Sequence, residues 1–380
     1  MPAMFEKTAG EYASAKPCRP EGCRLGFAVR KRGGDSIECN FPVLVFVCGV
    51  HRRSSVVYFP SMFRRRKFRL RLPSRTLVLG ERALVMGVLN VTPDSFSDGG
   101  LFLDADAAVR QALEIERAGA DILDIGGEST RPGSAPVTAE EELKRVLPVF
   151  EGLRGKLRIP ISIDTQKAAV AEAAVAAGAE IINDISALRA DPTLAEVVRR
   201  HHMPIILMHM RGTPRTMQQR PFARHVLRDV IAGLRAGVAR ACKAGVAKSQ
   251  ILLDPGIGFG KSFEQNYEVL AHLAKLAALG FPLVVGASRK AFIGATLARG
   301  GATLAGDRVA GGERSRTTLG PSRTGPNAQN LVPPGERVWG TAATVATSIL
   351  GGAHIVRVHD VAEMVQVARV TNANAILHVT

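Results

Sequence analysis

The chain has 380 residues, 46% of them hydrophobic, and carries 50 Lys/Arg against 34 Asp/Glu for a formal net charge of +16. That hydrophobic share excludes a globally disordered chain. The charge does not describe a nucleic-acid-binding body either: residues 1–80 hold 16 Lys/Arg and 5 Asp/Glu, a net of +11, which leaves +5 for all the rest.

Taken in chain order, residues 1–80 read as a basic, poorly ordered N-terminal extension. Cys18, Cys23, Cys39 and Cys48 lie in it, at spacings that match no zinc signature. "FPVLVFVCGV" is too short to cross a bilayer. "FRRRKFRLRL", residues 63–72, reads as a solvated leader, with a surface-binding or targeting segment as the alternative. The body, residues 81–380, holds a single cysteine, Cys242, which suits a reducing cytoplasm.

From Leu84 onward short Val- and Ile-rich runs alternate with Ala-rich amphipathic stretches. The expected strands are "ALVMGVLN", "DILDIG", "IPISID", "EIIND", "PIILMH", "ILLDPG", "PLVVGAS" and "HIVRVHD". Helices are expected over 105–118, 140–153, 167–177, 223–244 and 264–279, and Gly119, Gly178, Gly245, Gly280 and Gly352 stand where helices stop. Alternation of this kind predicts a (β/α)8 TIM barrel. The rival, a doubly wound open sheet, lacks a G-x-G-x-x-G after its first strand. Residues 302–335, rich in Gly, Pro, Ser, Thr and Arg, read as a loop insertion after the seventh barrel strand.

Barrel chemistry collects at the C-terminal ends of the strands. Those ends carry Asn90, Asp124 with Glu128, Asp164, Asn183, His209, Asp254, Ser288 with Lys290, and Arg357 with His359. Asp164, Asn183 and Asp254 offer acceptors to a flat heterocycle with adjacent N–H donors. Arg357 and His359 lie one residue apart on the last strand, so they share a face. With Asn90 on the neighbouring first strand they suit a phosphate; pairing with carboxylates is the alternative. The loops "NVTPDSFSDGG" and "GGESTRPGSAPV" are longer than turns need and suit closure over a site.

These stretches, with "ISIDT", "LMHMRGTPRTMQ", "LLDPGIGFGK", "GASRK" and "RVHD", resemble the dihydropteroate synthase family, the folate-pathway enzymes inhibited by sulfonamides. The resemblance runs from about Leu84 to Ala368; the extension and the insertion stand outside it. It implies a barrel that joins 4-aminobenzoate to a dihydropterin-CH2-diphosphate and releases diphosphate, with Mg2+. By this resemblance Asp164, Asn183, Met208, Asp254, Lys290 and Arg357 bind the pterin. Asn90, Thr130, Arg131, Arg357 and His359 bind the diphosphate. Thr130, Pro132, Phe259, Ser288 and Lys290 bind 4-aminobenzoate, and Asn90 with Asp98 hold the metal. Asp164, Lys290, Arg357 and His359 would carry the catalysis. The family also implies a homodimer acting on small molecules, with no nucleic acid or membrane partner. Two rivals remain. A pterin-dependent methyltransferase serving a corrinoid protein would not need "STRPG", "SRK" and "RVHD" together. A degenerate pterin-binding paralogue has only the extension and the insertion in its favour.

Overall fold

A computed structural model describes residues 65–92, 101–219, 221–298 and 331–377. The chain divides into two units, Met1–Ser61 and Met62–Thr380, and the first lies outside the described residues. The second opens with an antiparallel hairpin, β1 (Phe68–Arg71) and β2 (Thr76–Leu79). There follow β3 (Leu84–Asn90), α1 (Leu101–Arg117), β4 (Ile122–Gly126), α2 (Ala139–Leu153), β5 (Ile161–Asp164), α3 (Ala168–Ala176), β6 (Ile181–Asp184), α4 (Leu194–Arg200) and β7 (Ile205–Met208). The second half runs α5 (Val226–Lys243), β8 (Ile251–Asp254), α6 (Phe263–Ala271), α7 (Leu273–Ala277), β9 (Val284–Val285), α8 (Ala291–Ala298), α9 (Val338–Leu350), β10 (Ile355–Val358) and α10 (Val361–Leu377).

Strands β3 to β10 form one parallel sheet of eight, in the order β8-β7-β6-β5-β4-β3-β10-β9. The seam between β8 and β9 is joined by the Leu253–Leu283 bridge, with Leu253 N donating to Pro282 O at 2.9 Å. This is the expected (β/α)8 barrel. The expected helix over 264–279 is broken at His272 into α6 and α7.

The strands sort their side chains with a period of two, as the pleat requires. Leu84, Met86, Ile122, Ile181, Ile206, Leu252, Val284 and Ile355 pack into one cluster inside the barrel. Their neighbours Val85, Leu123, Ile182, Ile205, Leu253, Val285 and Val356 pack outward against the helices. Two residues further along six of the eight strands, at the same parity, come Asp124, Asn183, Met208, Asp254, Gly286 and Arg357. The pattern that fills the barrel thus also places a polar ring above the filling.

The floor of the barrel corrects the expected boundary of the extension. Leu70, Leu72 and Leu79 of the hairpin are buried in the inner cluster. Arg65 donates to Ile349 O at 3.2 Å and to Asn372 Oδ1 at 2.8 Å. The extension therefore does not run to residue 80, because residues 65–79 supply core that the barrel lacks without them. Of the insertion, residues 302–330 lie outside the described residues, and its end belongs to the barrel. Val332 N donates to Gly294 O at 3.3 Å, and Arg337 donates to Arg289 O at 2.7 Å and to Val332 O at 2.6 Å.

Candidate active site

The polar ring converges on a small cavity of about 20 Å3, lined by Thr130, Asp164, Asn183, Ile185, Met208, Asp254, Gly256, Ile257, Phe259, Gly286, Lys290 and Arg357. A larger cavity of about 350 Å3 opens between the loops after β4 and β7, beside Arg189 and Arg215. The small one is the candidate site, because the inward carboxylates, the amide and two cations meet there. It is tight because Lys290 lies over the Phe259 ring, its Nζ 4.1 Å from the ring centroid.

Arg357 projects from β10 into this cavity. It is turned to carboxylates: Nε donates to Asp124 Oδ2 at 2.6 Å and Nη2 to Asp164 Oδ2 at 2.7 Å. Desolvation pushes its pKa down, but Asp124 and Asp164 outweigh that and hold it above the ordinary arginine value. Asp164 is raised to about 7 by burial, against the opposing pull of Arg357 and with Asp124 adding to the rise.

Asp124 Oδ2 also accepts from Asn183 Nδ2 at 3.2 Å, which leaves the Asn183 carbonyl oxygen as the end turned away from that bond. Burial likewise raises Asp254, opposed by the Gly256 N–H, which donates to its Oδ1 at 2.7 Å, and by Lys290, Arg357 and Lys261. Lys290 is lowered to about 8 by burial and then by Arg357. The apolar wall is a separate cluster of Ile185, Met208, Met210, Met217 and Phe259.

The turn after β9 aims Lys290 through a strained backbone. Arg289 has φ +58°, a conformation non-glycine residues seldom adopt. It is held there by its ion pair with Asp360, and its N–H donates to Thr341 Oγ1 at 3.1 Å. Ser288 is buried and turned to His359, whose backbone N–H donates to its hydroxyl at 3.2 Å and whose Nδ1 lies 3.1 Å from it. His359 is lowered to about 3 by burial, then by Arg357, Arg289 and Lys290. Burial and the neighbouring cations thus favour its neutral ring.

The structure brings Thr130, Asp164, Asn183, Met208, Asp254, Phe259, Lys290 and Arg357 to one cavity. Asn90, at the end of β3, and Ser288 and His359 are outside that lining, and Arg131 and Pro132 are exposed on the loop after β4. Asp98 lies outside the described residues. Asp124, given no role by the sequence reading, is the fully buried partner of both Arg357 and Asn183. Its signal was present: in "DILDIG" it stands two residues after the inward Ile122.

An inward polar ring at this end of a parallel barrel is where such a fold keeps its chemistry, and the family model described as "Pterin binding enzyme", which matches residues 86–359, makes this chain a pterin-binding enzyme. A dihydropteroate synthase from Synechocystis sp. is 46% identical over 294 residues, covering 77% of this chain and 91% of that protein. The solved dihydropteroate synthase from Xanthomonas albilineans with 4-aminobenzoic acid is 40% identical, with a TM-score of 0.68, covering 81% of this chain and 98% of that one. The same organism's enzyme in complex with 7,8-dihydropteroate gives 39% identity and a TM-score of 0.65, with 80% and 98% covered. This chain belongs to the dihydropteroate synthase family.

Proposed function

We propose that this chain condenses 4-aminobenzoate with (7,8-dihydropterin-6-yl)methyl diphosphate, giving 7,8-dihydropteroate and diphosphate. The observation that carries the reading is the convergence of Asp164, Asn183, Asp254 and Lys290 on one cavity with Met208 and Phe259 as its apolar wall. A pterin has a donor-rich pyrimidine edge, a carbonyl and two apolar faces. Asp254 accepts from the paired N–H donors, Asn183 Oδ1 accepts a further one, and Lys290 donates to the ring carbonyl.

Catalysis here is the removal of a diphosphate, so the task is to meet negative charge as the C–O bond breaks. Arg357 brings a charge already set in place by two carboxylates, and His359 brings a neutral N–H. Thr130 and Arg131, on the loop after β4, close from the other side. Asp164 stabilises the cation that develops on the pterin methylene when it is ionised. The amine of 4-aminobenzoate, held by Phe259, Pro132, Ser288 and Lys290, then attacks that carbon, and no protein nucleophile is required.

Mg2+ belongs to this proposal. Asn90 presents an amide oxygen at the end of β3, a hard donor that suits an ion which keeps several of its waters. No group of three or more His, Cys, Asp or Glu fit to hold a metal occurs among the described residues, so the ion would lean on Asn90, Asp98, water and the diphosphate. When bound, it neutralises charge on the leaving group.

A homodimer is also proposed. Among the described residues Trp339 on α9 is 80% exposed and Leu297 on α8 is 42% exposed, an apolar face that supports a subunit contact. No described helix is long and apolar enough to cross a membrane; a cytoplasmic location remains part of the proposal.

The test is turnover. The purified protein is given both substrates and diphosphate release is followed. Release that depends on 4-aminobenzoate supports the reading; a protein that binds pterin but never releases diphosphate overturns it.

A further inference from the structure

The loop from Pro255 to Gly260 lies between β8 and α6 and is pressed against the end of β7. Gly256, Gly258 and Gly260 all have positive φ, of +64°, +85° and +66°. A Cβ on Gly256 would stand 1.9 Å from His209 O, and one on Gly260 2.6 Å from the Arg211 Cβ. Only glycine allows this approach. The loop carries Phe259 to the cavity and supplies the Gly256 N–H that holds Asp254 Oδ1 at 2.7 Å.

Lys261 sits at the root of this loop and is 1% exposed. Its Nζ lies 2.7 Å from Gly256 O, 3.2 Å from Phe259 O and 3.1 Å from His209 Nδ1. An ammonium has three N–H donors, and these three partners use them all. No carboxylate lies within ion-pair distance of it among the described residues, and burial lowers its pKa to about 7 against the pull of Asp254 and Asp229, so the ammonium is the prevailing form below that pH. A buried cation without a paired anion is costly and calls for a reason. Fastening two carbonyls would not require a charge, since a neutral amide donor can do it.

The groups around it indicate what the charge does. From β7 and the loop after it come His209, held neutral with its pKa lowered to about 2 by burial and then by Lys261, and the Arg211 cation. From α5 comes Asp229, whose Oδ2 is 3.5 Å from His209 Nε2 and 3.4 Å from Arg211 Nε. From β8 comes Asp254, and from the turn after β9 comes Lys290. Asp254 in turn feels Lys290 and Arg357 from the ligand side and Lys261 from behind. Burial works against its charge, and Lys261 is the one cation of the three that stands outside the cavity lining.

We infer that Lys261 is a positioning residue for the pterin, its ammonium fixing the turn that presents Phe259 and the Gly256 N–H and holding Asp254 in its anionic, accepting form. This rests on the reading of Asp254 as the pterin acceptor.

The test compares the full-length parent with Lys261→Met, Lys261→Gln and Lys261→Arg. The affinity for an unphosphorylated pterin is measured by calorimetry from about pH 4.5 to about 7.5, the range in which a buried carboxylate changes charge. In Lys261→Met the affinity should fall at least about tenfold near pH 6, where the parent's ammonium is formed, and its acid limb should move to higher pH. Lys261→Gln restores donors without charge, so it should regain affinity while keeping the displaced limb. Lys261→Arg should return the limb towards the parent position. A loss in Lys261→Met that is the same factor at every pH overturns the inference, since Lys261 would then be only a fastening. Failure of all three to fold overturns it too, because the Lys261 side chain would then be serving the fold and not the site. A parent that binds no pterin at all is a different result: it overturns the proposed function itself.

Discussion

Arg357 Nε donates to Asp124 Oδ2 at 2.6 Å, so the cation assigned to the leaving group is oriented by a carboxylate from the strand two places away in the barrel order. The same oxygen accepts from Asn183. One buried group therefore sets both a cation and an amide of the site.

Asp124→Ala should be costly for that reason. It leaves Arg357 with Asp164 alone, and breaking a buried ion pair costs about 3–5 kcal/mol of stability. Asp124→Asn keeps an oxygen but loses the charge, so about 1.5–3 kcal/mol is expected. Urea denaturation of both variants measures this. An unchanged midpoint in Asp124→Ala would show that the carboxylate does not hold Arg357.

Asp254→Asn turns one acceptor into a donor facing the pterin's own donors. It loses a charge-assisted bond of roughly 1.5–3 kcal/mol and leaves groups unpaired at about 1–3 kcal/mol more, so pterin affinity should fall about a hundredfold or more. Arg357→Ala should differ. It should weaken free diphosphate as well as the pterin substrate, and it leaves Asp124 and Asp164 without their cation. Calorimetry with an unphosphorylated pterin and with diphosphate separates the two. Unaltered pterin binding by Asp254→Asn would place the acceptor elsewhere.

His354 makes a prediction about pH. Its Nδ1 accepts from Leu283 N at 3.1 Å, and its other ring nitrogen donates to Arg66 O at 2.9 Å, a pairing that requires the neutral ring. Burial lowers its pKa below the ordinary 6.5. The sign follows: above that pH both states are neutral and the contribution is complete, and below it the unfolded chain takes a proton the folded one refuses. The penalty of His354→Gln relative to the parent should therefore be largest above about pH 6.5 and shrink by up to about 1.4 kcal/mol per unit as the pH falls. Denaturant titrations of parent and variant at several pH values check it, and a constant difference would mean the ring is not held neutral.

Removal of residues 1–64 should leave the barrel's melting temperature nearly unchanged, whereas removal through Leu79 should lower it steeply. The longer truncation takes away Leu70, Leu72 and Leu79, each worth about 1.5–3 kcal/mol when fully buried. It also removes the bonds of Arg65 to Ile349 and Asn372. Calorimetric melting of the two proteins decides; equal melting temperatures would mean that the hairpin does not complete the core.

The hairpin also shows where the sequence was legible and where charge misled the reading. Phe68, Leu70 and Leu72 alternate with Arg69 and Arg71, a period of two, yet the run of cations suggested a solvated leader. In the barrel strands no run of cations intervened, and their C-terminal ends located Asp164, Asn183, Asp254 and Arg357 on the rim. The partners of those residues were another matter. Asp124 and Arg357 stand 233 positions apart, and nothing local in either strand says that they touch. The neutrality of His359 was likewise hidden, since it comes from burial and from Arg289, Lys290 and Arg357 meeting around one ring.

The grip of Arg65 on Asn372 has a topological consequence. Asn372 is also bonded to Ala83 in both directions, donating to its O at 3.3 Å and accepting from its N at 2.9 Å. The entry to the barrel and its last helix are thus fastened at one point, while Arg337 fastens the return from the 302–330 stretch to the turn after β9. A chain rewired to run from α10 straight into Arg65, and opened instead within 302–330, would keep every one of these bonds. Such a circular permutant should fold to the same barrel, since the order in which the elements are synthesised is not among the things that hold it together.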